Sequence, residues 1–134
     1  LRPYRDFPAR ADRLQKSNRR LTRRRAEFLA RHWGRETGEG VVLRGDPAHK
    51  IVNPLLYRYE EVRECWRQVS APVLWVDGAE SDTLQRLELD AAQHAERRAA
   101  FRNLRQVTLP GAGHMLHHDQ PEALAEAIEA FLLG

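Results

Sequence analysis

Along this chain apolar residues recur at spacings of three and four, interrupted by two short runs in which they follow one another. The first helical stretch opens at Pro8, whose fixed φ suits a first helical position, and runs to about Lys16 with Leu14 as its apolar anchor. Ser17-Asn18 ends it. Thr22 is an N-cap for a second helix reaching Trp33, in which Ala26, Leu29, Ala30 and Trp33 share a face, and Gly34 stops that helix. Glu36 to Gly40 reads as a turn and Val41 to Arg44 as a short strand. Residues 45–54, GDPAHKIVNP, are crowded with turn formers and form a loop. Asn53-Pro54 then sets an N-cap with a first-turn proline. Leu55, Tyr59, Val62, Trp66 and Val69 continue as one stripe, which predicts the best-formed helix of the chain.

The pattern changes after Pro72. Val73 to Val76 is apolar at every position, as in a strand of a parallel sheet covered on both faces. Asp90 and Gln93 form a capping-box pattern for a helix from Ala91 to Phe101, on which His94 reads as a surface residue. Arg105 to Leu109 is a second strand with Val107 and Leu109 on one face. Asp119 and Glu122 form another capping-box pattern, for a last helix that starts at Pro121 and buries Leu124, Ile128, Phe131 and Leu132. The fold class expected is α/β, with a mostly helical region over 1–70 and a strand–helix–strand–helix region over 71–134.

Between the second strand and the last helix, Pro110-Gly111-Ala112-Gly113 lets the backbone turn sharply and leaves His114 on a loop, where catalytic groups commonly sit. Strand, Gly-rich turn with a histidine and closing helix resemble the end of an α/β-hydrolase. The stretch VLWVDGAESD, Val73 to Asp82, resembles the penultimate strand of that family and the loop that carries the acid partner of the histidine. Two such motifs in family order are more specific than either alone. The resemblance covers about the last half of the chain. The first half is more weakly similar to the helical cap such enzymes insert before that strand. It implies a cap segment followed by the C-terminal strands and helices of the hydrolase parallel sheet, an incomplete core.

What the resemblance implies about the site follows residue by residue. His114 takes the position of the catalytic base. Hydrolases reading Gly-x-x-Ser-Asp in the acid loop point to Asp82 as the carboxylate that orients it. The more common family spacing puts the acid three residues after the glycine, which here is Ser81, so Glu80 and Asp77 stay open as alternatives. In acyl transfer an imidazole takes the proton of an attacking hydroxyl, and a carboxylate fixes its tautomer and stabilises the imidazolium. The serines are Ser17, Ser70 and Ser81, and none stands in a Gly-x-Ser-x-Gly elbow. With 134 residues opening at Leu1, the expectation is the C-terminal part of a longer protein whose nucleophile and oxyanion hole are encoded upstream. The bond cleaved is an ester or a similar one. An aspartate nucleophile, as in dehalogenase or epoxide hydrolase relatives, is the variant of this reading.

Composition narrows the remaining possibilities. Cys65 is the single cysteine, so there is no disulfide framework and no Cys-based zinc site, and a reducing, cytoplasmic compartment is the simple inference. The formal charge is +3, and only Lys16 and Lys50 of the 22 basic residues are lysines, a usage bias rather than a sign of a polyanion partner. Arginines 19, 20, 23, 24 and 25 carry the rival class, a basic helical binding module; a hydrolase-like scaffold without activity is the other rival. No aromatic interleaving accompanies them, and a solvated outer face is the commoner use, so no nucleic acid is expected. No apolar run reaches the roughly 20 residues of a membrane span, so no membrane partner is expected either.

His114, His117, His118 and Asp119 fall within six residues, yet a Gly-rich turn does not offer the rigid helical pair that zinc sites use, so no metal and no cofactor are expected. His49, beside Asp46 and Lys50, is a candidate for lining the substrate pocket, with structural hydrogen bonding as its commoner alternative. Met115, next to the catalytic candidate, is the other binding candidate. The partners expected are a small ester-like substrate and the missing upstream segment. Self-association of the chain is a further expectation, because strand 73–76 and the last helix are built to be covered. The alternative is that the first seventy residues fold back as that cover.

Overall fold

The computed structural model describes residues 2–134, which divide between Leu55 and Leu56 into two compact units. In the first unit, helices α1 (Phe7–Ser17) and α2 (Arg23–Trp33) pack together through small side chains. Ala11, Ala26 and Ala30 are fully buried, Leu14 and Leu21 fill the space between, and Phe7 and Leu29 close the edges. Capping sets their limits. The Asp6 carboxylate accepts from the Ala9 amide at 2.7 Å, and Thr22 Oγ1 accepts from Arg25 N at 3.3 Å. Arg23 pairs with Glu27 one turn along and with Asp12 of α1, which makes part of the basic cluster an ion-paired outer face.

Strands β1 (Gly34–Thr37) and β2 (Gly40–Leu43) form an antiparallel hairpin after α2, and Tyr4 adds a bridge to Val41. The sequence pattern indicated β2 and missed β1. Gly34 both ends α2 and begins β1, and a Cβ there would stand 2.7 Å from the Ala30 carbonyl oxygen and 2.8 Å from Val41 Cγ1. Close approach of helix and hairpin therefore requires glycine.

The second unit holds α3 (Tyr59–Arg67), β3 (Val73–Gly78), α4 (Thr83–Arg86), α5 (Ala91–Ala99), β4 (Leu104–Leu109), α6 (Leu116–Asp119) and α7 (Pro121–Leu133). The fold is mixed α/β, and β3 and β4 pair as a two-stranded parallel sheet. The capping box at Asp90 and Gln93 forms in both directions, at 2.7 and 3.0 Å. α3 belongs to this unit, whose boundary falls at residues 55 and 56; its Trp66 ring stacks on Phe101, 5.4 Å between centroids, and Phe101 meets Trp75 of β3. Among the described residues no helix is long and apolar enough to cross a membrane.

Four local expectations are corrected. α3 begins at Tyr59, not at Pro54: Asn53 Oδ1 accepts from Leu55 N at 3.0 Å, a local turn that competes with helix initiation. Leu55, Leu56 and Tyr57 stand exposed, so a first helical turn would gain no packing there. His94 is not a surface residue, its side chain being 14% exposed against Trp75 and Asp77. Asp119 does not cap the last helix; its buried carboxylate turns back to the loop before it, and α7 starts from Gln120 with no side-chain cap. The stripe of α7 is not buried either: Leu124 and Phe131 are half-covered, while Ile128 and Leu132 are exposed. β3 is half-buried at all its positions, in keeping with the incomplete core expected, since a two-stranded sheet cannot cover it on both faces and both edges.

Candidate functional site

Parallel pairing in the register Val73↔Leu104 to Gly78↔Leu109 makes both strands leave the sheet at the same end, the place where loops of α/β sheets gather a ligand. The two outgoing loops are joined by backbone. Ala79 N donates to Leu109 O at 3.0 Å and Glu80 N to Ala112 O at 2.9 Å. A Cβ at Gly78 would collide with the Gly113 carbonyl oxygen and stand 2.5 Å from that of Ala112, so this glycine is what lets the loops meet.

The histidine loop is held from its other side as well. Gly111 has φ +67°, in the left-handed region that favours glycine, and turns the chain off β4. Gly113 N donates to the buried Asp119 carboxylate at 2.8 Å, and Gln120 Nε2 donates to Gly111 O at 3.4 Å. Ala112 and Gly113 are buried under these bonds, while His114 projects from the same turn and is exposed. A rigid turn thus presents a free imidazole edge.

On the other edge of the ring, His114 Nδ1 lies 3.0 Å from Thr83 Oγ1. Ser81 Oγ is 2.9 Å from that same hydroxyl and accepts from Thr83 N at 3.3 Å. The expected carboxylate contact is not made: Asp82 is directed along α4 to Arg86, 3.1 Å away, with both side chains mostly exposed. The phase of the loop explains this. Asp82 stands at the N-cap position of α4 without a side-chain cap bond and pairs with the residue four positions on, while Thr83, first in the helix, faces the histidine. Nothing in the order Ser-Asp-Thr announces which of three polar neighbours takes the inward position, so Thr83 escaped the sequence reading.

The other acids weighed for the role lie elsewhere. Asp77, on β3, accepts from Trp75 Nε1 at 2.9 Å and Gln106 Nε2 at 3.0 Å, with Arg98 Nη1 at 3.4 Å and His94 Nε2 at 3.6 Å. That carboxylate has its donors already. Glu80 contributes its backbone to the loop junction. Met115 is half-buried beside His114, and its carbonyl accepts the amides of His118 and Asp119, so it starts α6. His49 lies in the first unit, exposed in a 3-10 turn over Pro47–Lys50 whose Asp46 cap accepts from Ala48 N at 2.8 Å.

His117 and His118 differ sharply although adjacent: His117 is exposed, His118 is 5% exposed, and their rings are 4.1 Å apart. Burial lowers the His118 pKa below its ordinary value, the neighbouring His117 adds to that, and Asp119 opposes it. A cavity of about 550 Å³ opens over the strand ends, with Trp66, Trp75, Asp77, Thr83, Leu116 and His114 in its wall. Its size falls within that of small-molecule sites. Asp82 and Met115 are not in its lining.

Known proteins share this fold. A family model described as alpha/beta hydrolase family matches residues 1–127. No curated protein matches the chain. Among solved structures, E-2-(acetamidomethylene)succinate hydrolase is similar with a TM-score of 0.74 and 20% identity, over 98% of this chain and 47% of that one. A thioesterase domain from the curacin biosynthetic pathway is similar with a TM-score of 0.75 and 21% identity, over 96% of this chain and 44% of that one. An esterase of M. tuberculosis is similar with a TM-score of 0.74 and 22% identity, over 96% of this chain and 41% of that one. The chain thus spans less than half the length of each of these structures.

Proposed function

Since this chain belongs to the alpha/beta hydrolase family, we propose that it carries the histidine and acid half of an active site that hydrolyses an ester or a related bond of a small molecule. The observation that carries the reading is the pair of loops locked together over the ends of two parallel strands, which sets His114 on a rigid turn at the mouth of a cavity. His114 Nε2 takes the proton of the attacking hydroxyl and delivers it to the leaving alcohol. Asp82 supplies the charge that stabilises the imidazolium. Its pairing with Arg86 is exposed and worth at most about 1 kcal/mol, too little to hold the carboxylate away from the ring.

The nucleophile and the oxyanion hole are assigned to sequence upstream of Leu1, in a parent of which this chain is the C-terminal part. Ser17, Ser70 and Ser81 stand outside any Gly-x-Ser-x-Gly elbow, and the similar hydrolases are more than twice as long as the matched stretch. The mostly helical first part is the candidate cap region of that parent, and the single cysteine fits a cytoplasmic setting. One observation favours a second reading, a hydrolase-like scaffold without activity: the ring of His114 is bonded to a hydroxyl and not to a carboxylate.

A fluorophosphonate probe separates the two. The catalytic reading expects one serine upstream of Leu1 to be labelled in the full-length protein, and more slowly after His114→Ala. No labelling together with no ester turnover would overturn it in favour of the scaffold.

A further inference from the structure

Resting on the assignment of His114 as general base, we propose that the Thr83 hydroxyl is the positioning residue of that base, accepting the hydrogen bond from His114 Nδ1–H and leaving Nε2 free to take a proton. The ring nitrogen and the hydroxyl oxygen are 3.0 Å apart, the ring's hydrogen bond among the described residues. An imidazole whose Nδ1 is held as a donor exists as the tautomer with its lone pair on Nε2, and that is the form a general base needs.

The hydroxyl is itself aimed. Threonine is branched at Cβ and stiff about χ1, and Thr83 is the first residue of α4, which limits the directions its hydroxyl can take. Ser81 Oγ sits 2.9 Å from Thr83 Oγ1 and also accepts the Thr83 amide at 3.3 Å. Ser81 and Thr83 are both half-buried. A hydroxyl has one proton and two lone pairs. Ser81 Oγ–H donates to one lone pair of Thr83 Oγ1, and the second lone pair of Thr83 is left for His114 Nδ1–H. The backbone junction of the two loops, Glu80 N to Ala112 O and Ala79 N to Leu109 O, keeps donor and acceptor in register.

Division of labour with Asp82 follows. The hydroxyl is neutral, so it selects tautomer and orientation at rest but adds little to the stability of an imidazolium, the part left to the carboxylate.

The test is the tautomer of His114, read from the nitrogen shifts of its ring in the full-length protein labelled at histidine, at a pH where the ring is neutral. We expect Nδ1–H as the major form in the unaltered protein. Thr83→Val should shift the population to the Nε2–H form that free histidine favours and lower kcat about 10- to 100-fold, with KM changed less than about twofold. Thr83→Ser should restore the original tautomer, and Asp82→Asn should leave it in place while lowering kcat. A major Nε2–H form in the unaltered protein, which needs no variant to be seen, would overturn the proposal. So would a tautomer that follows Asp82→Asn rather than Thr83→Val. Failure of the hydrolase reading is a separate outcome: His114→Ala without effect on ester turnover, whatever the tautomer.

Discussion

At the scale of single residues, the sequence pointed to His114 with little ambiguity and to its partner with much. A histidine flanked by two glycines and a proline has a backbone no helix or strand accepts, so its place on a loop was legible. The side-chain direction of Ser81, Asp82 and Thr83 depends on where α4 starts, which propensity does not decide to within one residue. His118 and Asp119 were missed for a similar reason: a metal site is set aside and Asp119 reads as a cap, whereas a short turn of helix buries both beneath the Gly-rich loop. His118 makes a prediction about pH. Its folded pKa is lowered, so the unfolded chain binds the proton first as pH falls below its ordinary value near 6.5. The contribution of this residue is complete above that value and declines as pH falls toward the folded pKa. Urea unfolding at pH 7.5 and 5.5 should show a loss of stability on acidification that is smaller in His118→Gln; equal losses in both proteins would contradict the assignment.

At the scale of elements, helices with a capping residue and a tight apolar face were placed to within a residue or two. Thr22 for α2 and the reciprocal box of Asp90 and Gln93 for α5 are the clear instances. α3 was misplaced at its start because Asn53-Pro54 offers a cap without a packing partner for Leu55 and Leu56, and capping alone does not nucleate a helix. β1 carries no apolar alternation and exists through its pairing with β2. Joining of the two loops that leave β3 and β4 rests on Gly78, an element-level contact that a sequence shows only as one glycine. Gly78→Ala should destabilise the protein by about 1–3 kcal/mol, since the added methyl meets two backbone carbonyls that cannot turn away. It should also loosen His114 and lower ester turnover. Denaturant midpoints with a matched activity assay check this, and a neutral substitution would mean the loops are not held at that point.

At the scale of the whole molecule, the sequence foretold a parallel α/β region with more apolar surface than its two strands can cover. The structure agrees in the half-buried β3 and in the exposed Ile128, Leu132 and Leu133 of α7. Apolar surface and an open strand edge of this kind favour association. The 134-residue chain by itself is therefore expected to self-associate, or to fold only marginally, and to be inactive toward esters. Light scattering combined with an ester assay decides it, and a stable monomer turning over esters at an enzyme-like rate would refute the assignment of the nucleophile to another part of the parent. The most direct measurement of the central claim is turnover of a short activated ester by the full-length protein, before and after His114→Ala, with thermal melting of both. Turnover should fall by about 10⁴-fold or more, because members of a catalytic unit fail together, while the melting temperature stays nearly unchanged, because an exposed loop imidazole holds no core together. Turnover that survives the substitution, or a melting temperature that falls with it, would contradict the account.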